Sequence, residues 1–367
     1  MPTLKKTRKD GPEDSKFISS LRRRNQLHRK SAFEMGRIDD FDITADEDDW
    51  NELVKKGRVK NFSINTLPAE FFGPASKASH RQYAMLRSYS PLIQSRHKFY
   101  DNMGRFGFNT DLISEASKTL KSSDDWCKYI CVLRKGIPES RLQEGDPAWP
   151  GSFMAAKRLQ EQTATVNGVH DGVRYDRNQP DAEFTDAEDE STPNAAIIVL
   201  LQAISQMVPQ SRVEWVLNKV RFVAIFKDGR SFHAYTDGAL RSKVGLHPMA
   251  IVEVKKCVRG KGKQAIIIQE TCQVIGWLMQ TTADMAVFNG HFLLVSQDRH
   301  QIFITFAQYK KGLEDYLKTG QNTDEFLVME TYGPWNAENA SHLEHFAPII
   351  LSAVQISMRQ QIRSNDG

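Results

Sequence analysis

Apolar positions along the chain change their period twice. Between residues 75 and 160 they recur at helical spacing. Ser79 to Ser95 mixes apolar and aromatic residues on that spacing, and Asn109-Thr110-Asp111 is a start signal for a helix over Thr110 to Leu120. Ser123 is placed to cap a helix from Asp124 to Arg134, closed by Gly136 with Pro138 after it. Asn194 to Val208 is apolar nearly all round, which predicts a helix buried on more than one side, bounded by Pro193 and Pro209. Beyond it the pattern shortens to strands. Arg221 to Phe226 and Arg230 to Thr236 flank Asp228-Gly229, a hairpin signal. Met249 to Lys256 reads as a strand and Gln264 to Thr282 as a helix. A second hairpin joins His291–Ser296 to Gln301–Phe306. Phe326 to Tyr332 reads as an added edge strand, and Ala337 to Gln361 as a helix bent or broken near Pro348. The order predicts an α/β fold, with a mixed, partly antiparallel central sheet flanked by helices and an N-terminal helical accessory region.

Charge divides the chain further. Residues 1 to 31 hold ten Lys and Arg against three acids, and residues 39 to 52 hold eight acids. Like-charge blocks stay solvated, so residues 1–70 are expected to be a disordered tail, basic then acidic. The paired basic clusters also suit a nuclear-import signal. Residues 161–192, rich in Asp and Glu with little to bury, read as an acidic linker. That divides the chain into the tail, a helical region at 71–160, the linker, and an α/β domain at 193–367. Over the whole chain 49 basic residues nearly balance 45 acidic ones, so any nucleic-acid surface must be local. Four Cys without a framework fit a reducing compartment. The longest apolar run, Ala195 to Leu201, is far short of a membrane span, and the first residues lack a secretory signal. The expectation is a soluble intracellular protein with no membrane partner.

Two charged residues interrupt the apolar strand at its end: Glu253 and Lys255. Two apart, they leave one face, while Val252 and Val254 turn to the core. Buried charges are costly unless paired or functional. Asp237 closes the preceding hairpin strand in this reading, so two carboxylates and one lysine converge at one sheet edge. Mg²⁺ or Mn²⁺ suits that set, with Asp237, Glu253 and the Val254 carbonyl as its oxygens. Such an ion activates water and stabilises charge on a phosphodiester. Lys255 is placed to hold the attacking water and offset negative charge. Lys256, Arg259, Lys261 and Lys263 follow, and read as a flexible cationic loop for phosphate contacts.

Asp237 followed by Glu253-Val254-Lys255 resembles the PD-(D/E)XK nuclease superfamily, the restriction-endonuclease-like fold. The resemblance covers residues about 190 to 310. In texture (YTDGAL, then AIVEVKK, then a Gln-bearing helix) it is similar to nuclease-like proteins of filamentous fungi. It implies an αβββαβ core and metal-dependent hydrolysis of nucleic acid, DNA ahead of RNA. It implies catalytic roles for Asp237, Glu253 and Lys255, and for Gln269 or Gln273 on the following helix. Dimers are frequent among such enzymes, so a homodimer is open, though no dimer seam is legible. The family's usual Pro before the first acid is Thr236 here. Its occasional first-helix Glu is missing, with only Glu190 just ahead, so the helix itself offers no ligand for a second metal. The alternative is the same fold without activity, serving as a nucleic-acid or protein interaction module.

Other motifs read more plainly. Gly260-Lys261-Gly262-Lys263-Gln264-Ala265 fits a degenerate dinucleotide turn, but Lys256 to Arg259 make that turn too long. His342 and His345 read as a solvated helix face, and Cys127 and Cys131 as buried thiols on a core face. His233 and Tyr235 share alternation with Asp237 and default to ordinary sheet residues. Trp277 and Phe292 belong to the core.

Overall fold

The computed structural model describes residues 43–166, 169–170 and 186–365. The basic block of residues 1–31 and most of the acidic linker lie outside the described residues, and so does the nuclear-import reading. Residues 43–70 correct the expected tail. Glu47–Lys56 is a helix, α1, with Asp46 as its cap and acids in its first turn. Those acids favour the positive helix end, so the cluster that reads as a solvated block is a helix start. Leu53 and Val54 are buried, and Trp50 Nε1 donates to the Ala84 carbonyl at 2.7 Å.

Next come α2 (His80–Met85), β1 (Ser88–Tyr89), α3 (Lys98–Asn102), α4 (Thr110–Ser122), α5 (Asp124–Lys135) and α6 (Met154–Ala164). Asn109 and Ser123 cap α4 and α5, and left-handed Gly136 ends α5 as expected. A short hairpin, β2 (Thr165–Val166) and β3 (Val169–His170), follows, then α7 (Ser191–Ser205). The remaining elements are β4 (Val213–Val216), β5 (Arg221–Ile225), β6 (Ser231–Tyr235), β7 (Gly238–Ser242), β8 (Pro248–Lys255), α8 (Arg259–Gln280), β9 (His291–Asp298), β10 (Gln301–Gln308), α9 (Lys311–Thr319), β11 (Leu327–Asn336) and α10 (Ala340–Asn365). α10 runs unbroken through Pro348. Among the described residues no helix is long and apolar enough to cross a membrane.

A seven-stranded mixed sheet takes the order β1-β11-β10-β9-β8-β7-β4. β8 and β9 run parallel across the α8 crossover, and β7–β8, β9–β10 and β10–β11 are antiparallel. Two strand assignments differ from the sequence reading. The β5–β6 hairpin forms its own two-stranded ribbon, and the sheet is instead built with β4 and β7. Those strands are short, and Gly238 and Arg241 blur the apolar period of β7. β11 is also interior, because β1 pairs outside it with Ser88 opposite Leu327.

The sheet is covered on both faces. Ala250, Val252 and Val254 share one core with Ile197, Leu201 and Ile350 of α7 and α10. Phe108, Leu120 and Trp126 belong to that same core, so the N-terminal helices pack onto the sheet's own covering layer. The described residues from Ile43 onward form one unit, without a break between helical region and sheet. α8 covers the other face, where Trp277 lies 4.6 Å from Phe292 and stacks on Phe222 of the ribbon. Two glycines permit close approach. A Cβ at Gly238 would sit 2.6 Å from Ile198 Cδ1, and one at Gly276 would sit 2.9 Å from Phe222 Cβ.

Candidate active site

β8 ends where α8 begins its crossover, and the parallel pairing sets Glu253 opposite Ser296 and Lys255 opposite Asp298. Alternation places Val252 and Val254 in the α7–α10 core and turns Glu253 and Lys255 toward α8. Asp237 comes from another element than expected. It immediately precedes β7, not the end of a sheet strand, and β7 runs antiparallel to β8. The start of β7 therefore lies beside the end of β8. Asp237 N donates to the Val252 carbonyl at 2.9 Å, and its Oδ2 accepts from Val254 N at 3.0 Å.

Glu253 is 1% exposed and held at both oxygens. Gln269 Nε2 donates to Oε1 at 2.6 Å, and Gln273 Nε2 donates to Oε2. Gln273 Nε2 also reaches the Tyr235 carbonyl at 2.7 Å. One helical turn apart on α8, the two amides clamp the plane of one carboxyl. Lys255 Nζ donates to Glu253 Oε1 and to the Val254 carbonyl, the latter at 2.9 Å. Burial pushes the Glu253 carboxyl up to about 8, against the pull of Lys255 and with a further push from Asp237. Burial draws the Lys255 ammonium down, but contact with Glu253 overrides it and the net direction is upward.

Glu190, which the sequence reading left without a role, stands at the start of α7 without a capping side-chain hydrogen bond, its Oε1 3.8 Å from Lys255 Nζ. Its signal was an acid directly ahead of the apolar helix. Lys219, in the β4–β5 connection, sits 3.5 Å from Asp237 Oδ1 and was not anticipated. Asn194 Nδ2 donates to the Asp237 carbonyl at 3.2 Å. The site thus draws on α7, β7, β8 and α8.

The expected cationic loop is corrected. Residues from Arg259 onward are the first turns of α8, and Arg259 is 3% exposed. Its Nε lies 2.5 Å from Asp298 Oδ2 and its Nη2 2.5 Å from Glu270 Oε1, where Ser296 Oγ also donates at 2.6 Å. The guanidinium caps the Phe303 ring at 4.3 Å. Its charge is spent inside the protein, so no phosphate reaches it. Lys256 is exposed. The side chains of Lys261 and Lys263 lie outside the described residues.

Other expectations also change. His342 is buried and accepts from Asn336 N at 2.8 Å, and His345 Nδ1 accepts from Trp335 Nε1 at 3.0 Å. They are turned into the protein rather than onto a solvated face. Cys127 is exposed and Cys131 partly so, because Trp126 and Ile130 take the buried stripe of α5.

Among the described residues no group of three or more His, Cys, Asp or Glu converges as a metal cage. Mg²⁺ asks for less, typically one or two carboxylates with waters and substrate oxygens. Asp237, Glu253 and the Val254 carbonyl are hard oxygen donors of the kind such an ion takes, and here Lys255 Nζ donates to Glu253 Oε1 and to the Val254 carbonyl. No protein-family model, curated protein or solved structure matches the chain. The functional reading therefore rests on geometry and chemistry.

Proposed function

We propose that the protein is a divalent-cation-dependent phosphodiesterase acting on nucleic acid, DNA first among the substrates to test. The observation that carries this is the Asp237–Glu253–Lys255 constellation, gathered from the start of β7 and the end of β8, with both glutamines of α8 on one carboxyl. The sheet's connectivity supports the finer reading, a restriction-endonuclease-like core. With the β5–β6 ribbon taken as an insertion, the order α7, β4, β7, β8, α8, β9 is αβββαβ, with the last two strands parallel.

Asp237, Glu253 and the Val254 carbonyl would hold Mg²⁺ or Mn²⁺. Such an ion supplies an acidified water and offsets charge on the phosphodiester. Gln269 and Gln273 keep the Glu253 carboxyl from rotating. Lys255 orients Glu253 and presents its one remaining N–H donor to the reacting oxygen, where negative charge develops. Water forms a bond to phosphorus as one ester P–O bond breaks, leaving a phosphate end and a hydroxyl end. One observation favours a second reading, a nuclease-like fold that binds but does not cut. Lys255 Nζ already contacts Glu253 and the Val254 carbonyl, so these oxygens are satisfied without a metal.

Cleavage of labelled single- and double-stranded DNA and RNA with Mg²⁺ or Mn²⁺ separates the two. Metal-dependent cutting by the wild type, abolished in Lys255→Ala and Glu253→Ala, is the expected result. Variants that cut as well as wild type sink the proposal. Calorimetric titration with Mn²⁺ should show binding that Asp237→Asn loses, whereas a silent fold is indifferent to the ion.

A further inference from the structure

The β5–β6 ribbon buries one face only. Phe222, Ala224, Phe232 and Ala234 turn inward, and Phe222 stacks on Trp277 of α8. The alternate positions turn to solvent, with Arg221 opposite Tyr235, Val223 opposite His233 and Ile225 opposite Ser231. Tyr235 is 51% exposed and Ile225 61%, two large side chains left to water at opposite ends of that face. Arg221 Nη2 lies 3.1 Å from His233 Nδ1, and among the described residues its side chain meets no carboxylate. An aromatic ring and a guanidinium with spare donors therefore sit side by side on one face.

This face is continuous with the candidate active site. Tyr235 precedes Asp237 by two residues, and its carbonyl accepts from the same Gln273 amide that holds Glu253. Lys219, with a side chain 67% exposed, stands beside Asp237 and adds a second exposed cation. A ring for stacking, with two cations for phosphates, matches a strand whose bases are unpaired. Base faces are hidden in a duplex stack, so a stacking ring gains little there.

Building on the reading of the site as one that acts on nucleic acid, we propose that the outer face of the β5–β6 ribbon binds a single strand. Tyr235 stacks on a base, and Arg221 and Lys219 hold the flanking phosphates, which delivers the backbone to the site. The enzyme then prefers single strands or frayed ends over closed duplex.

The test is equilibrium binding of the full-length protein in EDTA, which removes any metal-dependent cutting. The probes are fluorescein-labelled oligothymidylate, oligouridylate and a blunt mixed-sequence duplex. Wild type should bind a single-stranded probe more tightly than duplex. Tyr235→Ala should weaken that binding about tenfold, within the range of one base–aromatic stack, while Tyr235→Phe keeps it. Arg221→Ala should lower the salt slope by roughly 0.7, the value of one phosphate contact on a single strand. Tyr235→Ala binding like wild type overturns the proposal, as does preference for duplex or no binding at all. So does a wild-type dimer in sedimentation that Tyr235→Ala dissociates without changing strand affinity. If no cutting is found but Tyr235-dependent binding is, the phosphodiesterase reading fails and this one stands. Cutting of single strands unaffected by Tyr235→Ala fails this one alone.

Discussion

Two charged clusters lie on one face of the β8–β9 pair, one strand apart. Arg259, Glu270 and Asp298 form the first, with side chains 3%, 2% and 0% exposed. Glu253 and Lys255 anchor the second, which opens through Lys255 at 17% exposure toward Glu190 and, through Asp237, toward Lys219. The first is shut off from solvent, and among the described residues Asp298 Oδ1 is buried in it with no hydrogen-bond partner. A planar guanidinium meets both carboxylates, and Ser296 supplies a further donor. The second joins buried carboxyl oxygens to an edge that solvent reaches. Burial of charge alone does not mark a site. What separates a girder from a site is whether solvent reaches the cluster.

The comparison can be broken in order of effect. Arg259→Met should cost about 3–5 kcal/mol in urea unfolding, because two carboxylates then stay buried without their cation. A loss well under that range would mean the closed cluster is not structural. Lys255→Met should cut any cleavage rate by about 10²–10³-fold, the scale of removing one donor from a developing charge. Its stability should fall far less than that of Arg259→Met, since Glu253, already pushed up to about 8 by burial, can take up a proton. Equal destabilisation by both variants would erase the distinction between the clusters.

Gln269→Ala probes the clamp without breaking either ion pair. It should weaken Mn²⁺ binding about tenfold, as loss of a hydrogen bond to a metal-binding carboxylate does, and calorimetry reads that directly. Unchanged affinity would remove the clamp from the account. A control lies on other elements. Burial, then His97 and Arg96, draws His345 down to about 4 from its ordinary 6.5. A base with a lowered folded pKa adds stability above about 6.5 and loses it as pH falls toward 4. Urea midpoints of wild type should fall through that window more steeply than those of His345→Asn, and parallel curves would assign the acid sensitivity elsewhere.

Much of the site was legible before the fold was known. Glu253 and Lys255 stand out because charge ending an apolar strand is costly, whereas Gln269 and Gln273 came only from the resemblance, on the helix after the strand. Glu190 was visible ahead of the apolar helix but without a role, and Lys219 was not legible, since it arrives from a separate connection. Arg259 was misread because a basic residue after a strand looks the same in sequence whether it faces water or two buried acids. Residues 47–56 were misread for a related reason. Acids in a row suit both a solvated block and a helix start, and only the partner surface for Leu53, Val54 and Trp50 distinguishes them.

The sequence by itself determined the periods: helices capped at Asn109 and Ser123, strands at β5, β6, β8, β9 and β10, and the faces to which β8 sends its residues. Periodicity is local, because side-chain direction follows backbone geometry within a few residues. Only the tertiary structure decided that β4 and β7, not the hairpin, complete the sheet, and that Asp237 therefore opens β7 beside the end of β8. It alone decided which charges close on one another and which remain open to solvent. Those outcomes depend on distances between segments far apart in the chain, which no local pattern records.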